Sequence, residues 1–227
     1  MTTAADAVLE QLRDKGSAQN VEGMGRFGMA TDQRLGVSVP EMRKIAKGIG
    51  KDHELALELW KTGVQEARIV ASMIDVPEEV TEDQMEAWVV VFDSWDVCDQ
   101  VCGNLFEKTS FAQQKIDAWS VRDEEFVKRA AYAIIAGLAW HDKKAADDQF
   151  IGYFPVIKHG ATDERNFVKK AVNWALRNIG KRNSSLNAAA IKAAKEIQHM
   201  DSKAARWIAS DAIRELESEK VQARLAK

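Results

Sequence analysis

The chain has 227 residues, of which 46% are hydrophobic and 30% charged, so it can bury a sizeable core and is neither disordered nor fibrous. With only 13 glycines and 3 prolines among many helix-forming residues, the composition favours an all-α protein. The formal net charge of −3 alone argues against a nucleic-acid partner, and no apolar stretch is long enough to cross a bilayer.

Apolar residues recur along the chain at helical spacing, and the sequence contains no convincing strand pattern of alternating apolar and polar residues. A capping-box pattern at Ser38–Glu41 predicts the start of the third helix, and Pro77 predicts the end of the fifth. No low-complexity linker interrupts the series, so we expect a single domain covering residues 1–227. The predicted helices span, in chain order, 3–14, 18–30, 39–49, 53–62, 64–75, 81–92, 95–108, 111–119, 123–139, 143–158, 163–180, 185–199 and 202–223.

A repeated pentapeptide indicates how these helices are arranged. The segment Phe126–Ala130 (FVKRA) recurs 41 residues later as Phe167–Ala171 (FVKKA), within predicted helices of similar length. Weaker echoes occur at Glu66–Ala71 and Ala205–Ala209. Helix pairs that repeat every ~40–47 residues are typical of HEAT and armadillo arrays. The sequence therefore predicts an α-α superhelix, a HEAT-like helical-repeat solenoid.

Charge is divided unevenly between the two halves of the chain. Up to Ala112 there are 11 Lys and Arg against 20 Asp and Glu, a net charge of −9, whereas from Gln113 onward there are 21 against 15, a net charge of +6. Such asymmetry is typical of a surface that faces a polyanion. Basic residues that only solvate the outer faces of helices would give the same count.

Compartment and cofactor content follow from simple motifs. The segment Met1–Asp6 has neither a basic leader nor an apolar signal core, so we expect a cytoplasmic protein. Cys98 and Cys102 are one helical turn apart and are expected to be buried thiols, because no further zinc ligands are spaced nearby. The 4 histidines are scattered, and no glycine-rich phosphate loop follows a strand. We expect no metal and no cofactor.

The segment Phe92–Asp99 is the densest candidate for chemistry. Trp95 and Asp99 are one turn apart on a helix, so an indole and a carboxylate share a face, whereas Asp96 belongs to a different surface. A structural interpretation is also available, in which Asp93 or Ser94 caps the helix and Trp95 packs inward. Spacing alone favours that structural interpretation.

A basic stripe with a tryptophan at its centre is predicted on one side of the helix 163–180. Cations on such a stripe attract phosphates, and an indole face can contact sugar or base. A solvated helix surface is the ordinary explanation for the cations, but it would leave the tryptophan exposed without purpose. The stripe consists of Lys170, Trp174, Arg177 and Lys181, Lys169 adjoins it, and Arg129 occupies the position equivalent to Lys170 in the preceding repeat.

Taken in order, several segments resemble the AlkD family of DNA alkylation repair glycosylases. These segments are Leu35–Arg43, Trp60 through Glu66–Arg68, Trp95–Asp99, Arg129 and Phe167–Arg177, and the stretch Met24–Met29 matches less closely. The resemblance runs over most of the chain and implies a HEAT-like repeat enzyme. Members of that family remove N3- and N7-alkylated purines from double-stranded DNA without a metal or an organic cofactor.

The resemblance also implies a role for particular residues. Trp95 corresponds to the first active-site tryptophan, Asp99 to the catalytic aspartate, Trp174 to the second tryptophan and Arg129 to an arginine near the DNA backbone. Asp99 would stabilise an oxocarbenium-like sugar while the lesion stays stacked in the duplex. The residues expected to bind DNA are Arg129, Lys169, Lys170, Arg177 and Lys181.

Other functions remain compatible with the sequence. We expect a monomer that binds alkylated duplex DNA and no membrane. A helical-repeat scaffold that binds a protein partner is the main alternative, because solenoid architecture alone says little about activity. Binding of damaged or branched DNA without catalysis is a third interpretation.

Overall fold

The computed structural model describes residues 3–226, and within that range the regular structure is helical and contains no β-strand. The all-α prediction is therefore confirmed. Met1, Thr2 and Lys227 of the predicted domain lie outside the described residues. Among the helices described, none combines the length and the hydrophobicity needed to cross a bilayer. The helices are α1 (Ala4–Asp14), α2 (Ala18–Arg26), α3 (Val39–Ile49), α4 (His53–Lys61), α5 (Gln65–Ile74), α6 (Glu82–Val89), α7 (Trp95–Asn104), α8 (Ala112–Ser120), α9 (Glu125–His141), α10 (Asp147–Gly152), α11 (Phe154–Gly160), α12 (Asn166–Gly180), α13 (Ser184–Gln198), α14 (Lys203–Leu216) and α15 (Glu219–Leu225), with a 3₁₀ turn at Phe106–Lys108.

Some predicted boundaries are wrong for local reasons. The predicted helix 143–158 is divided into α10 and α11, because Pro155 cannot continue a helix and instead occupies the first turn of α11. The predicted helix 202–223 is divided at Ser218, whose hydroxyl accepts the Val221 N–H and caps α15. The capping box predicted at Ser38 does not form, since its side chain makes no cap hydrogen bond.

The helices cluster into two compact units, and unit 1 comprises Met1–Phe111. In unit 1, α5 is central, α3 and α7 flank it, and α1 and α4 pack against the same helix. The indoles of Trp60 and Trp88 stack with ring centroids 3.8 Å apart, and the edge of Phe92 meets Trp60 at 6.1 Å. These large rings fill the interior of the unit.

A buried carboxylate ties the segment before α3 to α5. Glu66 is fully buried and accepts the backbone N–H groups of Leu35, Gly36 and Val37 at 2.9, 2.8 and 3.3 Å. Gly36 has a φ of +80°, and a Cβ there would lie 2.2 Å from the Ser17 carbonyl oxygen, so only glycine fits. The Glu66 carboxylate thus holds the backbone turn that precedes α3.

Unit 2 comprises Ala112–Lys227 and shows the repeated arrangement directly. The helices α9, α12 and α14 pack in succession, and α8, α11 and α13 pack against them. Phe126 and Phe167, which are equivalent residues of the predicted repeat, contact each other with centroids 5.5 Å apart. The repeat in the sequence therefore corresponds to helices that lie side by side.

Candidate functional site

In unit 1 the candidate site lies at the start of α7. Trp95 is the first residue of that helix and Asp99 follows one turn later, and both side chains are partly exposed. The Trp95 indole donates from Nε1 to the carbonyl oxygen of Phe27 at 3.1 Å. Burial chiefly raises the pKa of the Cys102 thiol, and the nearby Asp99 carboxylate adds to this effect. The Trp95 indole and the Asp99 carboxylate therefore share one accessible face of α7.

A buried ion pair anchors the same end of α7. The Arg34 guanidinium forms two parallel hydrogen bonds to Asp96, Nη1–Oδ2 at 2.7 Å and Nη2–Oδ1 at 3.0 Å. The Arg34 side chain is only 2% exposed and that of Asp96 is 14% exposed. The Ser94 hydroxyl donates to Asp96 and accepts the Ala30 N–H at 3.1 Å. The loop that follows α2 is thereby fixed against the residues beside Trp95.

The structural interpretation of this segment is wrong in one respect. Ser94 is the N-cap residue, but its hydroxyl makes no hydrogen bond to the α7 backbone because it is committed to Asp96. Asp93 does not cap either, since its carboxylate accepts Gln65 Nε2 at 3.1 and 3.2 Å. The polar residues before Trp95 connect α7 to other parts of unit 1 instead.

Arg68 lies on α5, the neighbour of α7 in unit 1. Its guanidinium lies 5.2 Å from the ring centroid of Trp60, which is a cation–π geometry. Burial lowers its pKa, and the negative charge of Asp93 opposes that shift. Arg68, which lies in the weak echo of the repeat at Glu66–Ala71, therefore has an intramolecular role as well as a partly exposed surface.

In unit 2 the predicted stripe lies on α12, and its two ends differ. Lys170 is exposed and forms no ion pair among the residues that the structure describes, and Trp174, one turn later, is partly exposed. The adjacent Lys169 places its ammonium 5.0 Å from the ring centroid of Trp207 on α14. The N-terminal end of the stripe therefore presents a free cation beside an accessible indole.

The C-terminal end of the stripe is bound to carboxylates of α14. Arg177 pairs with Glu215 and lies 3.4 Å from Asp211, and Lys181 pairs with Glu215 at 2.8 Å. Burial acts to raise the pKa of Glu215, but Lys181 and Arg177 lower it further than burial raises it. Both cations are thus largely neutralised within the unit.

The side chain of Arg129 is buried and is held by a hydrogen bond to the next repeat. Its side chain is buried on α9, and Nη1 donates to the carbonyl oxygen of Phe167 at the start of α12. This bond connects two helices that carry the repeated pentapeptide. Arg129 is therefore also a structural link between successive repeats.

Arg34 and Phe27 were missed by reasoning from the sequence. The Arg34–Asp96 pair joins residues 62 positions apart, and no local pattern marks such a pair. The Phe27 ring is 74% exposed, and its carbonyl holds Trp95, so a loop with a weak motif contributes directly to the site. The weak match of Met24–Met29 to the family pattern is the one signal that the sequence offered.

No cluster of three or more His, Cys, Asp or Glu side chains suited to a metal ion occurs among residues 3–226. The family model for DNA alkylation repair enzymes matches residues 8–216, nearly the whole chain. The chain belongs to the DNA alkylation repair enzyme family. The matched range includes the candidate residues of both units, Trp95 and Asp99 on α7 and Lys170 and Trp174 on α12.

Solved structures resemble this family member in fold. One of them has a TM-score of 0.81 at 21% identity, with 98% of this chain and 96% of that chain covered. That protein is described as belonging to a new family related to the HEAT-like repeat DNA glycosylases, with affinity for branched DNA structures. The HEAT-like repeat fold is thereby confirmed. An engineered protein has a TM-score of 0.46 at 13% identity, covering 95% of this chain and 99% of its own. A comparison with curated proteins finds no match.

Proposed function

We propose that this DNA alkylation repair family member is a DNA N-glycosylase that excises positively charged N3- and N7-alkylated purines from duplex DNA. The observation that carries the proposal is the pairing of Trp95 with Asp99 on an accessible face of α7, whose first turn is fixed by the buried Arg34–Asp96 pair. A rigid support of this kind is what a site needs in order to hold a carboxylate at a defined position.

The chemistry of the lesion explains why one carboxylate suffices. Alkylation at N3 or N7 gives the purine a positive charge, so the base departs as a neutral molecule without a general acid. The sugar left behind resembles an oxocarbenium ion, and an anion beside it lowers the barrier. Asp99 supplies that anion and orients the attacking water, and Trp95 contributes cation–π attraction toward the sugar.

DNA binding is assigned to α12 and its neighbours. Lys170 provides the strongest phosphate contact because it is exposed and forms no ion pair among residues 3–226, and the Trp174 indole lies one turn away for contact with a sugar. Lys169 extends the same surface. Arg177 and Lys181 contribute less, because Glu215 already neutralises much of their charge. Arg129 supports the start of α12 through its hydrogen bond to the carbonyl oxygen of Phe167.

The proposal is tested by the charge of the leaving base. Purified protein is incubated with duplexes that carry 7-methylguanine or, as a matched neutral base, hypoxanthine, and the released base is measured by chromatography. We expect release of 7-methylguanine above the spontaneous rate and no release of hypoxanthine, because the mechanism provides no acid for a neutral base. Equal release of both bases would contradict the electrostatic mechanism.

A second candidate function is binding of branched DNA without excision. It is favoured by the structural relative with a TM-score of 0.81, whose description includes affinity for branched DNA structures. Under this alternative, Trp95 and Trp174 would stack on bases exposed at a junction.

One comparison separates the two candidates. The affinity for a three-way junction and for a duplex of the same length is measured for the wild type and for Asp99→Asn. The glycosylase proposal predicts similar affinity for both DNAs and for both proteins, together with loss of excision in the variant. Strong preference for the junction and no base release by folded wild type would establish the second candidate.

A further inference from the structure

Unit 1 contains a basic pocket that the proposed site does not use. It is lined by α3 and by the C-terminal ends of α5 and α7.

 

The pocket's volume of about 460 Å³ accommodates a phosphate together with its sugar. Four cations converge on it, Arg43, Lys47, Lys51 and Lys108, beside the neutral side chains of Met73 and Asn104. We name it the α3–α7 pocket.

The charge of the α3–α7 pocket contrasts with that of its surroundings. The chain up to Ala112 holds 11 basic and 20 acidic residues, yet four of those basic residues line this one pocket. Among the residues that the structure describes there, no aspartate or glutamate belongs to the lining. The carboxylates that act on Lys51, those of Asp75 and Glu78, lie outside the lining, and a lining of like charges favours an anionic ligand.

Two of the four cations are already fixed by the fold. Lys51 Nζ donates to the carbonyl oxygens of Met73, at 3.2 Å, and Asp75, beyond the end of α5. The Asp75 carboxylate turns away and binds His53 and Gln84. Lys108 Nζ donates to the Asn104 carbonyl oxygen at 2.6 Å. Burial chiefly lowers the pKa of Lys51, and the charge of Lys108 lowers it further, which shows that the two ammonium groups repel each other.

The other two cations remain available to a ligand. Arg43 and Lys47 are exposed and lie one turn apart on α3, and neither forms an ion pair among residues 3–226. Their neighbour Lys44, in contrast, pairs with Glu41. Side chains one turn apart have Cβ atoms ~5–6 Å from each other, so they form a row that suits a chain of phosphates better than a single small anion.

We infer that the α3–α7 pocket binds backbone phosphates of DNA, as a contact separate from the one on α12. Arg43 and Lys47 contact successive phosphates, and Lys51 and Lys108 supply positive charge behind them. The inference rests on the proposed function in so far as DNA is the ligand. This contact gives residues 1–112, whose net charge is −9, a direct part in binding the duplex.

The test compares two double variants of the full chain. Arg43→Ala/Lys47→Ala removes two charges from the pocket, and Lys44→Ala/Lys61→Ala removes two exposed charges of the same unit outside it. Affinity for an unmodified fluorescent duplex is measured by anisotropy between roughly 50 and 200 mM salt. The pocket variant is expected to lower the slope of log K against log salt by about 2 and the affinity by roughly 8-fold per contact at 0.1 M salt.

Each outcome decides the inference. Equal slopes for the pocket variant and the control variant would overturn it, and a lowered slope for Lys170→Ala in the same assay would show that the DNA contact on α12 still holds. The pocket variant could instead lose binding of inorganic phosphate while the salt slope of duplex binding stays unchanged. That result would assign the pocket to a small anion and would also overturn the inference. Excision by the control variant Lys44→Ala/Lys61→Ala is expected to be unchanged. A wild type that neither binds duplex nor excises bases would instead refute the proposed function.

Discussion

The Arg34–Asp96 pair gives the sharpest prediction about stability. Asp96→Asn removes the negative charge and leaves a guanidinium whose side chain is only 2% exposed. Breaking a buried pair by removing one partner costs ~3–5 kcal/mol. We expect about 3 kcal/mol, at the lower end, because the Ala30 carbonyl oxygen still accepts Arg34 Nε at 2.5 Å. Since the pair fixes the first turn of α7, base excision is expected to fall together with stability.

The assay is urea unfolding followed by circular dichroism, with a surface pair as the matched control. Arg26 and Glu22 pair on α2 with side chains 74% and 69% exposed, so Glu22→Gln is expected to cost only ~0–1 kcal/mol. The double variant Arg34→Met/Asp96→Leu is expected to regain most of the lost stability, because both charges leave the interior together. A cost for Asp96→Asn no larger than that for Glu22→Gln would refute the reasoning.

Three further predictions concern pH, salt and the backbone. Burial raises the pKa of Glu107 to about 8, so the folded protein binds a proton at Glu107 more tightly than the unfolded chain does. The free energy of unfolding is therefore expected to fall as the pH rises from about 4.5 to about 8, by up to about 5 kcal/mol. Glu107→Gln should flatten that profile in urea titrations, and an unchanged profile would exclude Glu107 as its source. Lys170→Ala is expected to reduce the salt slope of duplex binding by about 1, whereas the exposed Lys192→Ala on α13 should leave it unaltered. Gly36→Ala forces a Cβ to 2.2 Å from the Ser17 carbonyl oxygen and should cost at least ~1 kcal/mol; a neutral effect in the same unfolding assay would contradict the tight turn.

Much of the fold follows from local patterns in the sequence. Helical spacing of apolar residues predicts α3 over 39–49, as observed, because that helix buries one face and has a proline in its first turn. The 41-residue repeat predicts that Phe126 and Phe167 are equivalent, and their rings are in contact. Periodicity did not show the break before Pro155, since the apolar pattern continues across α10 and α11.

The candidate site was only partly predictable. Trp95 and Asp99 lie on one face because helix geometry alone places residues four apart together. The anchoring of that face by Arg34 depends on a contact between distant segments, which spacing cannot reveal. In the same way, the stripe on α12 was visible in the sequence, but the neutralisation of Arg177 by Glu215 depends on how α14 packs.

The proposed function depends most directly on the carboxylate of Asp99. The measurement is the single-turnover rate of 7-methylguanine release from duplex DNA by wild type and by Asp99→Asn, with Asp83→Asn, an exposed carboxylate of α6, as the control. We predict a loss of at least 100-fold for Asp99→Asn, on the order of that seen when one electrostatic group is removed from an active site, with duplex affinity and the Asp83→Asn rate unchanged. Release by Asp99→Asn at the wild-type rate would contradict the account.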